Sequence, residues 1–173
     1  MVHHHPNHRA SSSGVTLLLN LGEVGITSRP ADRLKIIGLG SCVAVCMWCP
    51  SRRVAAMAHV VFPHAKGDPR GQVQPGYFAD TALPLLNDAM ARQGCAPEAI
   101  LVRLVGGAAV LRGLKPSMDV GARNAEALTT LIHASRMRLG PVDLGGESQR
   151  TVELQARDGT LLVRVGNAPQ RVL

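Results

Sequence analysis

Aromatic side chains are scarce in this 173-residue chain, which carries one Trp, one Tyr and two Phe. A stacking platform for single-stranded nucleic acid needs several rings, so the shortage argues against that class. It also means that Ala, Val, Leu and Gly must fill the core. No apolar stretch approaches the ~20 residues that cross a bilayer. The run Val15 to Leu19 is too short for a signal-peptide core, and no cleavage pattern follows it. A secreted disulfide framework is missing too, since three of the four cysteines fall between Cys42 and Cys49. These absences predict a soluble, cytoplasmic protein without membrane insertion.

What is present suffices for one domain with a real core: hydrophobic residues make up 46%. Nineteen Lys and Arg against twelve acids leave a formal charge of +7. That balance favours an anionic partner without choosing one. The cations are dispersed, with no run of five, so they read as solvated surface and not as a nucleic-acid patch. Residues 1–14 are polar and of low complexity and are expected to be a disordered tail ahead of a single domain over 15–173. Its His3, His4, His5 and His8 lack the support a metal site needs.

Strands are expected over Val15–Leu19 and Leu34–Ile37, then over Cys42–Cys49 and Val54–Phe62. Between the first two runs lies only a glycine-containing link. Residues 64–76 read as a long exposed loop. A helix is expected over Thr81–Gln93, with Ala82, Leu85, Leu86, Ala89 and Met90 inward and Gly94 as its stop. Ile100–Val105 is a strand, and Arg123–Ser135 a second helix with Ala125, Leu128 and Ile132 inward. Asp158-Gly159 marks a C-terminal hairpin of Val152–Ala156 and Thr160–Val165. Without regular strand–helix alternation, the fold class is α/β, a layered sandwich with mostly antiparallel or mixed sheets.

The chemistry concentrates near Cys42. Folding the chain back about Pro50-Ser51 sets Cys49 opposite Arg52, Cys46 opposite Ala55, Ala44 opposite Met57 and Cys42 opposite His59. Opposed residues share a sheet face with Cβ atoms about 4.5–5.5 Å apart, so the register places a thiol beside an imidazole. Gly38, Gly40 and Ser41 lead into Cys42, and small residues leave main-chain N–H groups free to face an oxyanion. A thiol next to a histidine is an activated nucleophile suited to an amide carbonyl. The opposing interpretation is core packing, since free cysteine is among the most buried residue types. Cys42, Cys46 and Cys49 also have the formal spacing of an iron–sulfur loop. On a strand, however, Cys42 and Cys46 share one face and Cys49 the other, so no three-thiolate site forms.

The segments Leu39-Gly40-Ser41-Cys42-Val43-Ala44-Val45-Cys46 and Ala56-Met57-Ala58-His59-Val60 resemble the chemoreceptor glutamine deamidases of the CheD family. So do Tyr77-Phe78-Ala79-Asp80-Thr81-Ala82, Gly106-Gly107-Ala108, Val120-Gly121-Ala122-Arg123-Asn124 and Asp143-Leu144-Gly145-Gly146. The resemblance runs in order over roughly residues 15–165. It implies a cysteine hydrolase fold shared with deamidating toxins. The implied reaction converts glutamine to glutamate and ammonia on chemoreceptor cytoplasmic helices. Cys42 and His59 take the catalytic positions, no cofactor or metal is required, and a CheC-type phosphatase is a further partner. The receptors' acidic region would explain the positive charge. Gly40 and Ser41 are the oxyanion candidates, and Phe62, Tyr77, Arg123 and Asn124 the cleft or substrate-contact candidates. The family's threonine, six residues before the cysteine, is here Ile36, which has no hydroxyl for the imidazole. A carbonyl, a water or another polar group must then orient His59. The alternative reading is a catalytically silent CheD-like binding or regulatory module.

Overall fold

The computed structural model describes residues 2–4, 13–109 and 119–173. Its elements begin with strands β1 (Val2–His4), β2 (Thr16–Leu18), β3 (Val24–Thr27), β4 (Arg33–Leu39), β5 (Val43–Cys49) and β6 (Val54–Val60). Then come the short helix α1 (Arg70–Val73), α2 (Ala79–Arg92), β7 (Leu101–Gly106) and α3 (Val120–His133). The chain ends with β8 (Arg138–Leu139), β9 (Asp143–Leu144), β10 (Arg150–Gln155), β11 (Leu161–Val165) and β12 (Arg171–Val172).

One sheet runs β1-β3-β6-β5-β7-β8, with β9 also on β7, and the other runs β12-β11-β10-β4-β2. Both are mixed, in line with the expected layered α/β sandwich. Helices α2 and α3 cover one face of the larger sheet, packing Leu83, Leu86, Met90, Leu128 and Ile132 onto Val43, Val45 and Met47. The smaller sheet covers the other face, packing Leu34, Ile36, Val152 and Leu161 onto Ala44, Cys46, Trp48 and Met57. With both faces covered, every residue of β5 and β6 is buried, which is why these strands read as nearly continuous apolar runs. Cys46 faces the smaller sheet and Cys49 the helices, so the cysteines do separate by face.

The hairpin register differs from the simple expectation. A four-residue turn over Pro50–Arg53 pairs Cys49 with Val54, Cys46 with Met57, Ala44 with His59 and Val43 with Val60. Arg53 takes a left-handed φ of 52° to close it. Pro-Ser cannot form the tight two-residue turn, so the ladder slides by two residues. A slide of two preserves the face, whereas a slide of one would have inverted it. Cys42 therefore lies beyond the ladder, on the face of Ala44 and His59 but diagonal to the imidazole.

Other boundaries shift less. Helix α2 begins at Ala79, so Pro84 lies inside it, and Leu83 rather than Leu85 is fully buried. Helix α3 begins at Val120, capped by Asp119 accepting from the Ala122 N–H at 3.0 Å. Its inward face carries Asn124 and Ala127 in place of Ala125. The 64–76 loop contains α1, and the glycine-containing link contains β3. Val2–His4 pairs with β3, whereas most of the polar tail lies outside the described residues.

Candidate active site

The nucleophile candidate sits in a turn whose carbonyls are all held. The Ala108 N–H donates to the Gly40 carbonyl and the Gly107 N–H to the Cys42 carbonyl, both at 2.8 Å. The Asn124 side-chain amide donates to the Ser41 carbonyl at 3.0 Å and to the Val61 carbonyl at 2.8 Å. Gly106 adopts φ +123°, and a Cβ there would stand 2.3 Å from the Cys42 carbonyl oxygen. Only glycine lets β7 approach this turn so closely. Cys42 itself is half-buried. Burial pushes its thiol above the ordinary 9.0, and its own main-chain N–H pulls partly back.

The base candidate is fixed by the segment joining β2 to β3. The Gly22 N–H donates to the His59 carbonyl at 2.9 Å, and the His59 N–H donates to the Glu23 carbonyl at 3.0 Å. The ring is held as well: Nδ1 lies 3.2 Å from the Leu19 carbonyl. A carbonyl only accepts, so Nδ1 carries the proton and donates. In the neutral ring Nε2 then offers a lone pair, and that atom is buried with no hydrogen-bond partner. Burial holds His59 below its ordinary 6.5, against smaller upward pulls from the Leu19 carbonyl and Glu23. Thiol and imidazole are thus both neutral at rest, and the ion pair arises only when a proton moves.

His59 lines a cavity of about 420 Å³ with Leu18, Leu19, Asn20, Leu21, Ile37 and Gly38. Three of its rim residues are exposed aliphatics: Leu18, Leu21 and Ile37, at 51%, 49% and 57%. Ile37 points outward by strand alternation with buried Ile36, and just beyond it the β4–β10 pairing slips between Arg150 and Val152, where Gly38 takes φ +76° and Leu39 returns inward. Its neighbour Ile36 is fully buried opposite Val152, in the apolar layer between the sheets. No polar contact reaches the imidazole from that position: the Leu19 carbonyl holds Nδ1, and Nε2 has no partner.

The cleft candidates divide. Phe62 and Arg123 line a second cavity of about 280 Å³ with His64, Lys66 and Arg70. Tyr77 packs beside it with its ring tilted 46° to that of Phe62 at 5.8 Å, and the Arg70 guanidinium lies 4.8 Å from its own centroid. Asn124 belongs instead to the nucleophile turn. Sequence reasoning allowed a carbonyl to orient His59 but did not name Leu19, because a main-chain acceptor carries no side-chain signal. It also missed the aliphatic rim, because Leu18, Leu21 and Ile37 come from separate segments that only the fold brings together.

A match to the CheD family, described as CheD chemotactic sensory transduction, spans residues 61–165. The chain belongs to the CheD family. That match begins after His59, so it does not depend on the two candidate residues. Full-length relatives extend the similarity. A probable chemoreceptor glutamine deamidase CheD of Syntrophotalea carbinolica is 38% identical over 152 residues, covering 85% of this chain and 92% of that protein. The chemoreceptor glutamine deamidase CheD of Thermotoga maritima is 36% identical over 154 residues, covering 88% of this chain and 94% of that protein. Among solved structures, Bacillus licheniformis YfiH aligns over 69% of this chain and 51% of its own, with 14% identity and a TM-score of 0.40. Among the described residues, no helix is long and apolar enough to cross a membrane.

Proposed function

We propose that this chain deamidates glutamine side chains on the cytoplasmic helices of chemoreceptors, with Cys42 as nucleophile and His59 as general base. The observation that carries this reading is the tautomer of His59. Its Nδ1–H is engaged by the Leu19 carbonyl and its Nε2 lone pair is unpartnered, with no bond to the Cys42 sulfur at rest, while His59 pairs with Ala44, two residues along the strand from Cys42. The family assignment supplies the reaction class.

In this mechanism Nε2 takes the Cys42 proton as sulfur attacks the glutamine carbonyl carbon. The oxyanion is met by the main-chain N–H groups of the Gly40-Ser41-Cys42 turn, held in place through their neighbouring carbonyls. The imidazolium returns its proton to nitrogen, ammonia leaves, and a thioester remains. A water deprotonated by His59 then cleaves the thioester, giving glutamate and the free thiol. The aliphatic rim of Leu18, Leu21 and Ile37 suits the apolar side of a receptor helix. The Leu19 carbonyl performs the orienting role that Ile36 cannot, which removes the motive for reading the chain as a silent module.

Purified protein mixed with a chemoreceptor cytoplasmic fragment tests this. Ammonia release and a glutamine-to-glutamate mass change are expected from the wild type. Both should vanish in Cys42→Ala, which keeps a native circular dichroism spectrum. Conversion that persists in Cys42→Ala refutes the mechanism, and no conversion by the wild type leaves a binding module.

A further inference from the structure

The β5–β6 ladder ends at Val43 and Val60. One more rung would join Cys42 to Val61, but the strands part there. The Val61 N–H turns to the Tyr77 carbonyl at 2.9 Å, and the Cys42 carbonyl turns to the Gly107 N–H. Into this fork reaches Asn124 from α3, fully buried. One amide nitrogen gives its two hydrogens to the Ser41 and Val61 carbonyls. These carbonyls belong to the residue before the nucleophile and the second residue after the base. Two carbonyl acceptors fix the amide orientation, since the oxygen could not replace the nitrogen there. The amide oxygen is buried with no partner. An acceptor left unsatisfied in this way is costly and uncommon, so what the side chain contributes here is its two donors.

We infer that Asn124 is a positioning residue that sets the distance between Cys42 and His59 by bridging the two chains where their own pairing stops. This rests on Cys42 and His59 being nucleophile and base. The side chain needs no contact with substrate to act. It holds the nucleophile turn against the end of β6, so its loss changes how thiol and imidazole meet while the rim that binds substrate stays intact.

The test compares wild type, Asn124→Ala, Asn124→Ser and Cys42→Ala. Steady-state deamidation of the receptor fragment is measured alongside iodoacetamide alkylation as a function of pH. Cys46, Cys49 and Cys95 are buried, and the alkylation assigned to Cys42 is the part that disappears in Cys42→Ala, which separates it from Cys49, whose thiol, pushed up by burial, is pulled down overall by Ser51 and Arg52. A misplacement near 1 Å costs about 100-fold in rate, so Asn124→Ala is expected to lose about that much kcat with KM within about threefold. Its alkylation profile is expected to shift, and Asn124→Ser, which keeps one donor, should fall between. A merely structural amide would lower the melting temperature and leave kcat per folded molecule and the alkylation profile at wild-type values, which overturns the inference. Failure of both Asn124 variants to fold overturns it too, because the residue is then a requirement of the fold. Deamidation that survives in Cys42→Ala defeats the underlying mechanism instead, whatever the Asn124 variants do.

Discussion

Replacing Gly106 with Ala is expected to damage catalysis and stability together. A Cβ at this position would stand 2.3 Å from the Cys42 carbonyl oxygen, where ordinary contact begins near 3.4 Å. The turn must therefore retreat by about 1 Å, a displacement that typically costs about 100-fold in rate when it falls on a reacting group. The Gly107 N–H bond to the same carbonyl is strained in the process. Together with an alanine forced to φ +123°, the stability loss comes to about 2–4 kcal/mol. The assay is kcat and KM on a receptor fragment, with chemical denaturation run on the same preparations. Gly94→Ala serves as the control. It also has a left-handed φ, at 76°, but its neighbour is the flexible end of Arg52 at 3.3 Å, beside the opposite end of the sheet. That control should lose about 1 kcal/mol and keep its kcat. Full kcat in a folded Gly106→Ala variant, or an equal loss of kcat in Gly94→Ala, would refute the argument.

Ile36→Thr should bring no gain in kcat, because the Leu19 carbonyl already holds Nδ1; burying its hydroxyl should cost about 1–3 kcal/mol, and a tenfold rise in kcat would show that the orienting role was vacant. Because His59 is held below 6.5, the acid limb of kcat/KM is expected below that pH. The same depression makes a stability contribution that is present above 6.5 and lost as pH falls toward the folded value; a limb above 6.5 contradicts the assignment. Ile37→Asp puts a charge on the exposed rim and should raise KM about tenfold, or about 1.4 kcal/mol, with kcat preserved; an unchanged KM would show that this rim does not meet the substrate. The His59 ring in isotope-labelled protein should show nitrogen shifts of an Nδ1–H tautomer at neutral pH, and an Nε2–H tautomer would remove it as base.

The layering was legible because β5 and β6 need apolar residues on both faces, and their sequences display that without alternation. The face shared by Cys42 and His59 was legible for the same reason that register errors are often harmless: the hairpin slid by two, and parity survived. The exact pairing was not, because it depends on how Pro50–Arg53 turn, and Arg53 in a left-handed conformation has no signature. Strand β3 was hidden because Val24–Thr27 is short and interrupted by Gly25, and it acquires its order from pairing with β6. Asn124 looked like a helix-opening polar residue. It lies one and two turns before the inward Leu128 and Ile132, on the same face, but nothing in the sequence showed which carbonyls it would meet.

The Leu19 carbonyl belongs to the polypeptide itself, and this bears on how the family can drift. A hydroxyl that steers a histidine disappears with one codon change. A peptide oxygen survives every substitution that preserves the local trace of the chain. With Nδ1 held by the main chain, Ile36 serves as filling between the sheets, and the orientation of the imidazole follows the backbone path.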